Sequence, residues 1–413
     1  MSGRPSAVTC CVAGGGPAGM MLGFLLARAG VPVMVLEKHA DFLRDFRGDT
    51  IHPSTLELMH ELGLLEEFLR VPHQEMPGLV AQFGDTPLRV ADFTHLPTRC
   101  KFIAMMPQWD FLAFLARNGA RYAAFHLEMR AEATGLIEEA GRVIGVRGTA
   151  AGGPFEVRAD LVVAADGRSS ILRERAGLHV EDLGAPMDVL WFRLSRWSGD
   201  PEATMGRFDV GRIFVLLNRG QHWQCGYVIP KGSAEDVRRR GLDAFRASVA
   251  ALMPFAADRV AAEIRDWDDV KLLTVRVDRL RQWYRPGLLC IGDAAHAMSP
   301  VGGVGINLAI QDAVAAANRL WRPLREGRLT TEDLRRVQRR REWPTRVTQW
   351  LQLLVQRRII TTTLGRRGGR LTPPRLVRLL ARFGPLARIP ARLVGVGVRP
   401  EHVETPERAA AQG

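Results

Sequence analysis

Short apolar runs recur along this chain and are separated by helix-forming stretches. Four runs are almost wholly apolar and predict buried strands, at residues 8–13, 33–36, 160–165 and 288–291. Residues 20–29, between the first two runs, are helix-forming and stop at Gly30. A buried strand, a helix and a second buried strand predict a βαβ unit, so we expect an α/β domain with a parallel sheet.

The middle of the chain has a different pattern. Segments rich in β-branched and aromatic residues predict strands at 79–93, 189–194, 212–217 and 222–229. Alternation along two of these strands gives two sets of side chains that share a face: Trp223, Cys225 and Tyr227, and Trp191, Arg193 and Ser195. Each of these faces either lines a substrate pocket or belongs to a core or a solvent face.

Helical patterns dominate the C-terminal part of the chain. A long helix is predicted over 305–326, and a second helix ends before Pro344. Between residues 319 and 399 lie 21 arginines and four acidic residues, so this segment carries +17 and the rest of the chain −4 of the net charge of +13. These arginines lie on solvated helix faces or contact a membrane surface or an acidic partner. Nucleic acid is disfavoured because no basic strand is interleaved with aromatic residues.

Composition narrows the class of protein further. The 413 residues are 46% hydrophobic, enough for two or three structural units around large cores. The five cysteines form no C-x-x-C pair and have no histidine at zinc spacing, so we predict no disulfide framework and no metal site. We expect no secretory signal, because the first residues have no basic region followed by an apolar core, and no apolar run approaches the roughly 18 residues of a membrane span. We expect a soluble cytoplasmic protein.

A glycine-rich loop follows the first predicted strand. The sequence GGGPAG fills residues 14–19, and the second strand ends on Glu37. In a dinucleotide site Gly14 would permit the tight turn, Gly16 would admit a pyrophosphate to the helix start, and Gly19 would let helix and strand pack closely. Glu37 could accept the ribose hydroxyls and would disfavour a 2′-phosphate, which favours FAD or NAD over NADP. The alternative is a purely structural glycine turn.

Two later motifs also follow buried strands. After residues 160–165 comes DGRSS, from Asp166 to Ser170, in which a serine can cap the next helix. After residues 288–291 come Gly292 and Asp293, and then a loop of small and rigid residues at 300–305 that opens the long helix. Such a loop lets a flat or anionic ligand approach the backbone, and the helix start directs N–H groups towards it.

Together these motifs resemble the three fingerprints of the p-hydroxybenzoate hydroxylase family, the class A FAD-dependent monooxygenases. The resemblance rests on GGGPAG with Glu37, on DGRSSILR and on GDAAHAMSPVGGVGIN, and it covers residues 8 to about 320. It implies an α/β fold with a Rossmann-like FAD-binding domain of the glutathione reductase type, an inserted antiparallel β-sheet substrate domain and C-terminal helices. We place the FAD-binding domain at 1–75, 100–185 and 280–325, the substrate domain at 76–99 and 186–279, and a basic helical region at 326–413.

The resemblance also implies which residues bind the cofactor. They are Gly14, Gly15, Gly16, Pro17, Ala18, Gly19, Glu37, Lys38, Arg47, Gln108, Asp166, Asp293, Pro300, Gly303, Gly305 and Asn307. The glycine loop would hold the pyrophosphate and Glu37 the adenosine ribose. Arg47, with Arg44 as the competing position, and Gln108 would contact the flavin nucleotide.

The remaining positions would surround the reactive end of the cofactor. Asp166 would serve both FAD and NAD(P)H binding through structure, Asp293 would meet the ribityl and pyrophosphate part, and residues 300–307 would run along the isoalloxazine ring. No side chain is assigned as catalytic; Pro300, Gly303 and Asn307 are the residues expected near the ring. His296 is expected to pack against the cofactor loop rather than act as an acid or base. His52 is a loop residue for which a role near the flavin edge stays open.

The reaction implied is insertion of one oxygen atom from O2 into an aromatic or polyketide-like small molecule. NADPH or NADH would reduce non-covalently bound FAD, and oxygen would add to form a C4a-hydroperoxide. The alternatives are a reductase of the geranylgeranyl reductase type, a flavin halogenase-like enzyme, whose Trp-x-Trp-x-Ile-Pro signature is missing, and a binding protein that has lost turnover. The apolar, arginine-rich stripes at 376–393 would contact a membrane, a dimer partner or the FAD-binding domain.

Overall fold

The computed structural model describes residues 4–43, 50–201, 204–368, 371–374, 377–378 and 384–408. The strands in these residues are β1 Ala7–Ala13, β2 Val33–Glu37, β3 Thr50–Ile51, β4 Gln74–Met76, β5 Gly78–Phe83, β6 Thr86–Asp92, β7 Ile103–Met105, β8 Phe125–Met129, β9 Ala131–Glu139, β10 Arg142–Ala150, β11 Gly153–Ala164, β12 Val180–Asp182, β13 Met187–Ser195, β14 Met205–Asp209, β15 Arg212–Asn218, β16 His222–Pro230, β17 Lys271–Leu273, β18 Asp278–Leu280, β19 Tyr284–Arg285 and β20 Leu288–Cys290. The helices are α1 Pro17–Arg28, α2 Pro53–Glu61, α3 Leu65–Leu69, α4 Gln108–Gly119, α5 Ile171–Arg175, α6 Ala234–Arg239, α7 Leu242–Leu252, α8 Ala257–Glu263, α9 Gly305–Arg325, α10 Thr331–Val355, α11 Thr361–Leu364 and α12 Gly384–Gly395, with a π-helical turn, Gln356–Ile360, between α10 and α11.

The largest sheet contains the predicted parallel core. β1 pairs in parallel with β2 on one side and with β11 on the other, and β11 pairs in parallel with β20. The carboxyl ends of these four strands therefore lie along one edge, where ligands bind in open α/β sheets. The predicted βαβ unit and Rossmann-like architecture are confirmed.

Helix α1 is buried almost throughout. Its residues from Ala18 to Arg28 are all buried, because α9 and α4 cover the sides that the sheet leaves open. This explains why the sequence of α1 is apolar on every side rather than along one stripe. The packing of α1 against α9 brings the starts of both helices to the strand-end edge of the sheet.

The second large sheet is mixed, which corrects the prediction of an antiparallel one. Its strand order is β17-β13-β16-β15-β14-β5-β6. All neighbours are antiparallel except β14 and β5, which run parallel. The reason is topological: β5 and β6 come from a separate part of the chain, so no hairpin fixes the direction in which β5 meets β14.

The two faces of this second sheet have different neighbours. Trp223 and Cys225 are 1% and 0% exposed and pack under α7 and α8, so their face is a core. On the other face Trp191 belongs to a cluster with Val301 and Ile360. The face that carries Trp191 is therefore the one turned towards the glycine-rich loop near residue 301.

Helix α10 continues through Pro344, whereas the sequence predicted that it ends there. Pro344 is buried, and the helix keeps its course from Thr331 to Val355. Proline in a helix interior costs about 3 kcal/mol, which packing on both sides of it must offset. Gln338, before the proline, bonds to the backbone of Trp283, and Gln349, after it, bonds to the backbone of Asp278. These bonds fix both halves of the helix.

The C-terminal tail packs on the molecule itself. Ala391 of α12 is fully buried against Phe93 and Ile103, and the predicted stripe at 376–393 is described only in part. Beyond α12, Asn318 of α9 donates to the carbonyl oxygen of His402 at 2.7 Å, and Arg28 of α1 donates to that of Thr405 at 2.8 Å. None of the helices in the described part of the chain is long and apolar enough to span a bilayer.

Candidate functional site

The three predicted glycines of the first loop have different surroundings. Gly14 has a φ of 110°, and a Cβ atom there would lie 2.3 Å from the carbonyl oxygen of Ala165. A Cβ at Gly19 would lie 1.9 Å from the carbonyl oxygen of Gly14, so both positions require glycine for packing. A Cβ at Gly16 would meet no protein atom within 4 Å. Gly16 therefore faces open space directly in front of α1.

The start of α1 is suited to an anion. Pro17 occupies its first turn, no side chain caps it, and its first turn contains no acidic residue. The first N–H groups of a helix have no partner within the helix, and the helix dipole gives this end a partial positive charge. The loop and helix start form a cradle for a phosphate group.

Glu37 lies beside this cradle at the end of β2. One carboxylate oxygen accepts a hydrogen bond from the Gly15 N–H at 3.0 Å, and the other accepts one from the His39 N–H at 3.0 Å. Each oxygen can accept a further bond, as from a hydroxyl. The neighbouring Lys38 is more than half exposed, and its ammonium nitrogen lies 3.6 Å from the Glu132 carboxylate.

The DG motif follows β11 directly. Ser170 caps α5 by accepting the Arg173 N–H at 3.0 Å, as the sequence suggested. Oδ2 of Asp166 accepts the Leu172 N–H at 3.4 Å, while Oδ1 is buried without a partner in the protein. Burial raises the pKa of Asp166, although hydrogen bonds from Ser170 and Leu172 oppose the rise. The orphaned oxygen is an acceptor that a ligand or water would satisfy.

Two arginines connect the DG motif, Asp166 to Arg173, with the GD motif, which is Gly292 and Asp293 after β20. Arg173 is buried and donates to the carbonyl oxygens of Ala294 at 3.1 Å and Arg168 at 2.8 Å. Arg168 lies 3.9 Å from the Asp293 carboxylate. Neither arginine was assigned a role from the sequence, although both stand inside the DGRSSILR motif.

Gly292 of the GD motif packs between the starts of helices α1 and α9. A Cβ at Gly292 would lie 3.2 Å from Cβ of Ala18 in α1 and 3.1 Å from Cβ of Ala309 in α9. Asp293 is half-buried at this junction. The strand end, the glycine loop and the long helix thus meet at one place, as the ordered motifs predicted.

The loop before α9 is held by β3. Gly302 and Gly303 have φ values of 79° and 63°, and the Gly303 carbonyl oxygen accepts the Thr50 hydroxyl at 2.9 Å. Pro300 is exposed, and Gly305 begins α9. No side chain caps α9 and its first turn contains no acidic residue, so this helix also directs a partial positive charge at the site.

Asn307 uses its side chain within the protein. Its Oδ1 accepts the His52 N–H at 2.9 Å and the Thr55 hydroxyl at 2.8 Å, and its Nδ2 donates to the Thr50 carbonyl oxygen at 3.0 Å. Asn307 therefore positions the junction of β3 and α2.

His52 lies at this same junction and is fully buried. Its Nδ1 donates to the Val394 carbonyl oxygen at 2.7 Å, because a carbonyl can only accept, and its Nε2 is buried without a partner. Burial lowers the pKa of His52 to about 4, although the bond to Val394 opposes this. His52 is thus a neutral link between α12 and the site.

We expect the folding stability to fall as the pH drops from about 6.5 towards 4. In that range the unfolded chain binds a proton at His52 and the folded chain does not, so the loss reaches about 3 kcal/mol. Urea unfolding across this range, compared between wild type and His52→Asn, isolates the effect, because asparagine keeps the donor to Val394 but does not titrate. Equal pH slopes for the two proteins would refute the assignment.

Glutamines of α10 and of the π-helical turn that follows it bond to the segment leading into α9, and none of them was predicted from the sequence. Gln352 accepts the Ser299 N–H at 3.2 Å and donates to the carbonyl oxygens of Ser299 and Val301, both at 2.9 Å. Gln349 donates to the Asp278 and Ala297 carbonyl oxygens at 2.7 and 3.2 Å, and Gln356 donates to the Ser299 hydroxyl. All three glutamines are at most 5% exposed. Their spacing of three and four residues is the signal by which they could have been found.

A chain of buried charges lies behind the GD turn. The Asp312 carboxylate accepts the Gly292 N–H at 3.1 Å and His296 Nε2 at 2.6 Å, and Arg341 donates to it at 3.0 Å. Arg341 also donates to Glu401 at 3.1 Å. Burial opposes ionisation of Asp312, but His296 and Arg341 outweigh it and lower its pKa. His296 is 1% exposed and is held by this bond to Asp312.

Two predicted flavin contacts can be placed only partly. Gln108 begins α4 and is half-buried. Arg47 and the competing Arg44 lie outside the described residues. Among the residues that are described, no three His, Cys, Asp or Glu side chains are grouped so as to hold a metal ion.

Comparisons with known proteins agree with this geometry. The family model described as FAD binding domain matches residues 7–350. The 6-methylpretetramide 4-monooxygenase of Streptomyces rimosus is 34% identical over 358 residues, which are 85% of this chain and 84% of the relative. The dialkyldecalin synthase of Streptomyces rugosporus is 28% identical over 340 residues, 76% of this chain and 66% of that protein.

A solved structure shows the same fold. The anhydrotetracycline hydroxylase OxyS of Streptomyces rimosus matches 95% of this chain and 77% of its own, with a TM-score of 0.74 at 23% identity. The resemblance stated from the three motifs is confirmed. The chain belongs to the FAD binding domain family and is a class A FAD-dependent monooxygenase.

Proposed function

We propose that this enzyme oxygenates a fused-ring aromatic polyketide, with NADPH or NADH as the electron donor. The convergence of three motifs on one sheet edge carries the proposal: the Gly16 cradle, the orphaned oxygen of Asp166 and the uncapped start of α9. Relatives named for 6-methylpretetramide and for anhydrotetracycline support the substrate class.

The residues at this edge fit FAD bound without a covalent link. Residues 14–19 would hold the pyrophosphate and Glu37 the adenosine ribose, with Lys38 at the rim. Gln108 and Arg47 would contact the nucleotide, Asp166 and Asp293 would face the ribityl side, and Pro300, Gly303, Gly305 and Asn307 would lie along the ring. Arg168, close to Asp293, adds a positive charge that suits a diphosphate.

Bound FAD supplies the redox chemistry: it takes electrons from NAD(P)H and activates O2 for transfer of one oxygen atom. The protein supplies shape and charge around it. The start of α9 stabilises negative charge beside the loop, Asn307 fixes β3 against that loop, and the glutamines of α10 fix Ser299 and Val301 from behind. The substrate would lie between the loop and the sheet face that carries Trp191, whose ring covers Gly226.

The wider organisation follows the same proposal. The FAD-binding domain comprises 1–75, 100–185 and 280–325, the substrate domain 76–99 and 186–279, and the basic C-terminal region 326–413. The enzyme acts in the cytoplasm, and the C-terminal region makes a peripheral contact with a membrane or a dimer partner.

The test is turnover of a fused-ring polyketide under labelled oxygen. Protein with bound flavin should consume NADPH or NADH faster when the polyketide is added, and the product should contain one labelled oxygen atom. A product isomeric with the substrate, formed without NAD(P)H, would instead indicate a synthase like the dialkyldecalin relative. A saturated alkene in the product would indicate a reductase of the geranylgeranyl reductase type, and a carbon–halogen bond would indicate a flavin halogenase-like enzyme.

Replacing Gln352 by leucine is expected to uncouple the enzyme. The variant loses three hydrogen bonds to Ser299 and Val301, each worth about 1 kcal/mol, so the loop loses its fixed position. The ratio of oxygenated product to NAD(P)H consumed should fall at least about fivefold, with more hydrogen peroxide released. Peroxide and product assays on the same sample measure this ratio.

Gln338→Leu is the matched control. Gln338 is also buried on α10, but it bonds to the backbone of Trp283 and Arg281, away from the loop. Both variants should lose similar stability, and only Gln352→Leu should uncouple. Equal uncoupling by the two variants would contradict the role assigned to Gln352.

A further inference from the structure

One side of α10 is apolar, aromatic and uncovered. Trp343, Trp350 and Leu354 are 56%, 61% and 40% exposed. Their spacing of seven and four residues places them on one side of the helix, opposite Gln349 and Gln352, which are buried. We call these three residues the tryptophan face. Large apolar side chains this exposed and this close together mark an interaction surface.

Arginines surround the tryptophan face. From residue 331 to 360 the chain has eight arginines and three acidic residues. Two of these arginines, Arg340 and Arg341, bond to the buried carboxylates of Glu401 and Asp312. The other six arginines are exposed, and they outnumber the three acidic residues. They lie on both sides of the tryptophans and are Arg335, Arg336, Arg339, Arg346, Arg357 and Arg358. Glu332, Asp333 and Glu342 pair with four of these arginines, so the surface keeps a net charge of +3, which favours a negatively charged occupant.

Charge and shape select among the occupants. A second copy of the chain, meeting this face with its own, would bring two sets of arginines together at a cost. The tryptophans project from the helix as a ridge, and a folded acidic partner would need a matching groove to bury them. A lipid surface can deform around such side chains, so it needs no matching groove. Tryptophan, leucine and arginine are typical of helices that bind at the membrane–water interface.

We propose that the tryptophan face binds an anionic lipid surface. Trp343, Trp350 and Leu354 enter the headgroup layer, and the arginines on either side contact lipid phosphates. The contact lies on α10 rather than on the stripe at 376–393. It does not depend on the oxygenation reaction, so lipid binding and turnover can fail independently.

The experiment is sedimentation of the full-length protein with lipid vesicles. We expect binding to phosphatidylcholine mixed with phosphatidylglycerol, weaker binding to phosphatidylcholine alone, and release at high salt. The double variant Trp343→Ser/Trp350→Ser should lower the partition coefficient at least roughly tenfold. Trp197→Ser is the control, since Trp197 is 54% exposed but lies in the second sheet's domain.

Three results would overturn the proposal. The first is no binding of wild type to anionic vesicles at low salt. The second is an equal loss in the Trp197→Ser control, or no loss in the double variant while its circular dichroism and flavin content match wild type. The third is a wild-type dimer in sedimentation equilibrium that the double variant abolishes without any vesicle binding.

Discussion

The variant Gly16→Ala is expected to fold normally and to lose FAD. Gly16 has φ −75° and ψ −177°, which alanine adopts without strain, and a Cβ there would touch no protein atom. The apo protein should therefore be as stable as wild type or up to about 1 kcal/mol more stable. The methyl group would occupy the space where a pyrophosphate approaches α1. We expect FAD affinity to fall about 100-fold, or about 3 kcal/mol.

Two other glycines make this result specific. Gly152 also has open space at its Cβ and no positive φ, but it lies between β10 and β11, so Gly152→Ala should bind FAD as wild type does. Gly14→Ala places a Cβ 2.3 Å from the Ala165 carbonyl oxygen and should lose stability itself. Flavin fluorescence titration and urea unfolding measure the two effects. Normal FAD binding by Gly16→Ala would refute the proposal that the pyrophosphate binds at Gly16 in front of α1.

The parts of the site that the sequence predicts are those built locally. Each motif is a strand end followed by a turn and a helix start, so the strand at 8–13, the loop at 14–19 and Glu37 could be placed from adjacent residues alone. The meeting of the motifs follows as well, because parallel strands end at one edge. The structure shows this in the packing of Gly292, which lies between Ala18 of α1 and Ala309 of α9.

The parts that escape prediction depend on contacts distant in sequence. Asn307 was expected near the ring, but its side chain holds Thr50, His52 and Thr55, more than 250 residues earlier. Nothing local to Asn307 signals those partners. The glutamines at 349 and 352 escape prediction for the same reason, because their backbone partners lie more than 50 residues earlier in the sequence.

Helix α10 thus contacts both the site and the solvent. Its buried side fixes the loop at 299–301 through glutamines, and its exposed side carries the tryptophan face. Arg341, on the buried side, joins α9 to the C-terminal tail through Asp312 and Glu401. Asp312 and Glu401 each have a second basic partner, His296 and Arg340, but of the described residues only Arg341 joins the two carboxylates.

Arg341→Met is accordingly expected to destabilise the fold by about 3–5 kcal/mol, because it leaves two buried carboxylates without their shared cation. Arg341 is 1% exposed, and methionine fills a similar volume. Its neighbour Arg340 pairs with the same Glu401 but is 23% exposed, so Arg340→Met should cost only about 1 kcal/mol. Adding Asp312→Asn to Arg341→Met removes one of the two carboxylate charges that Arg341 had neutralised and should recover part of the loss. Urea unfolding of wild type, the three single variants (Arg341→Met, Arg340→Met and Asp312→Asn) and the double variant tests this. A double variant as unstable as the sum of its single changes would show that packing, not charge, sets the cost.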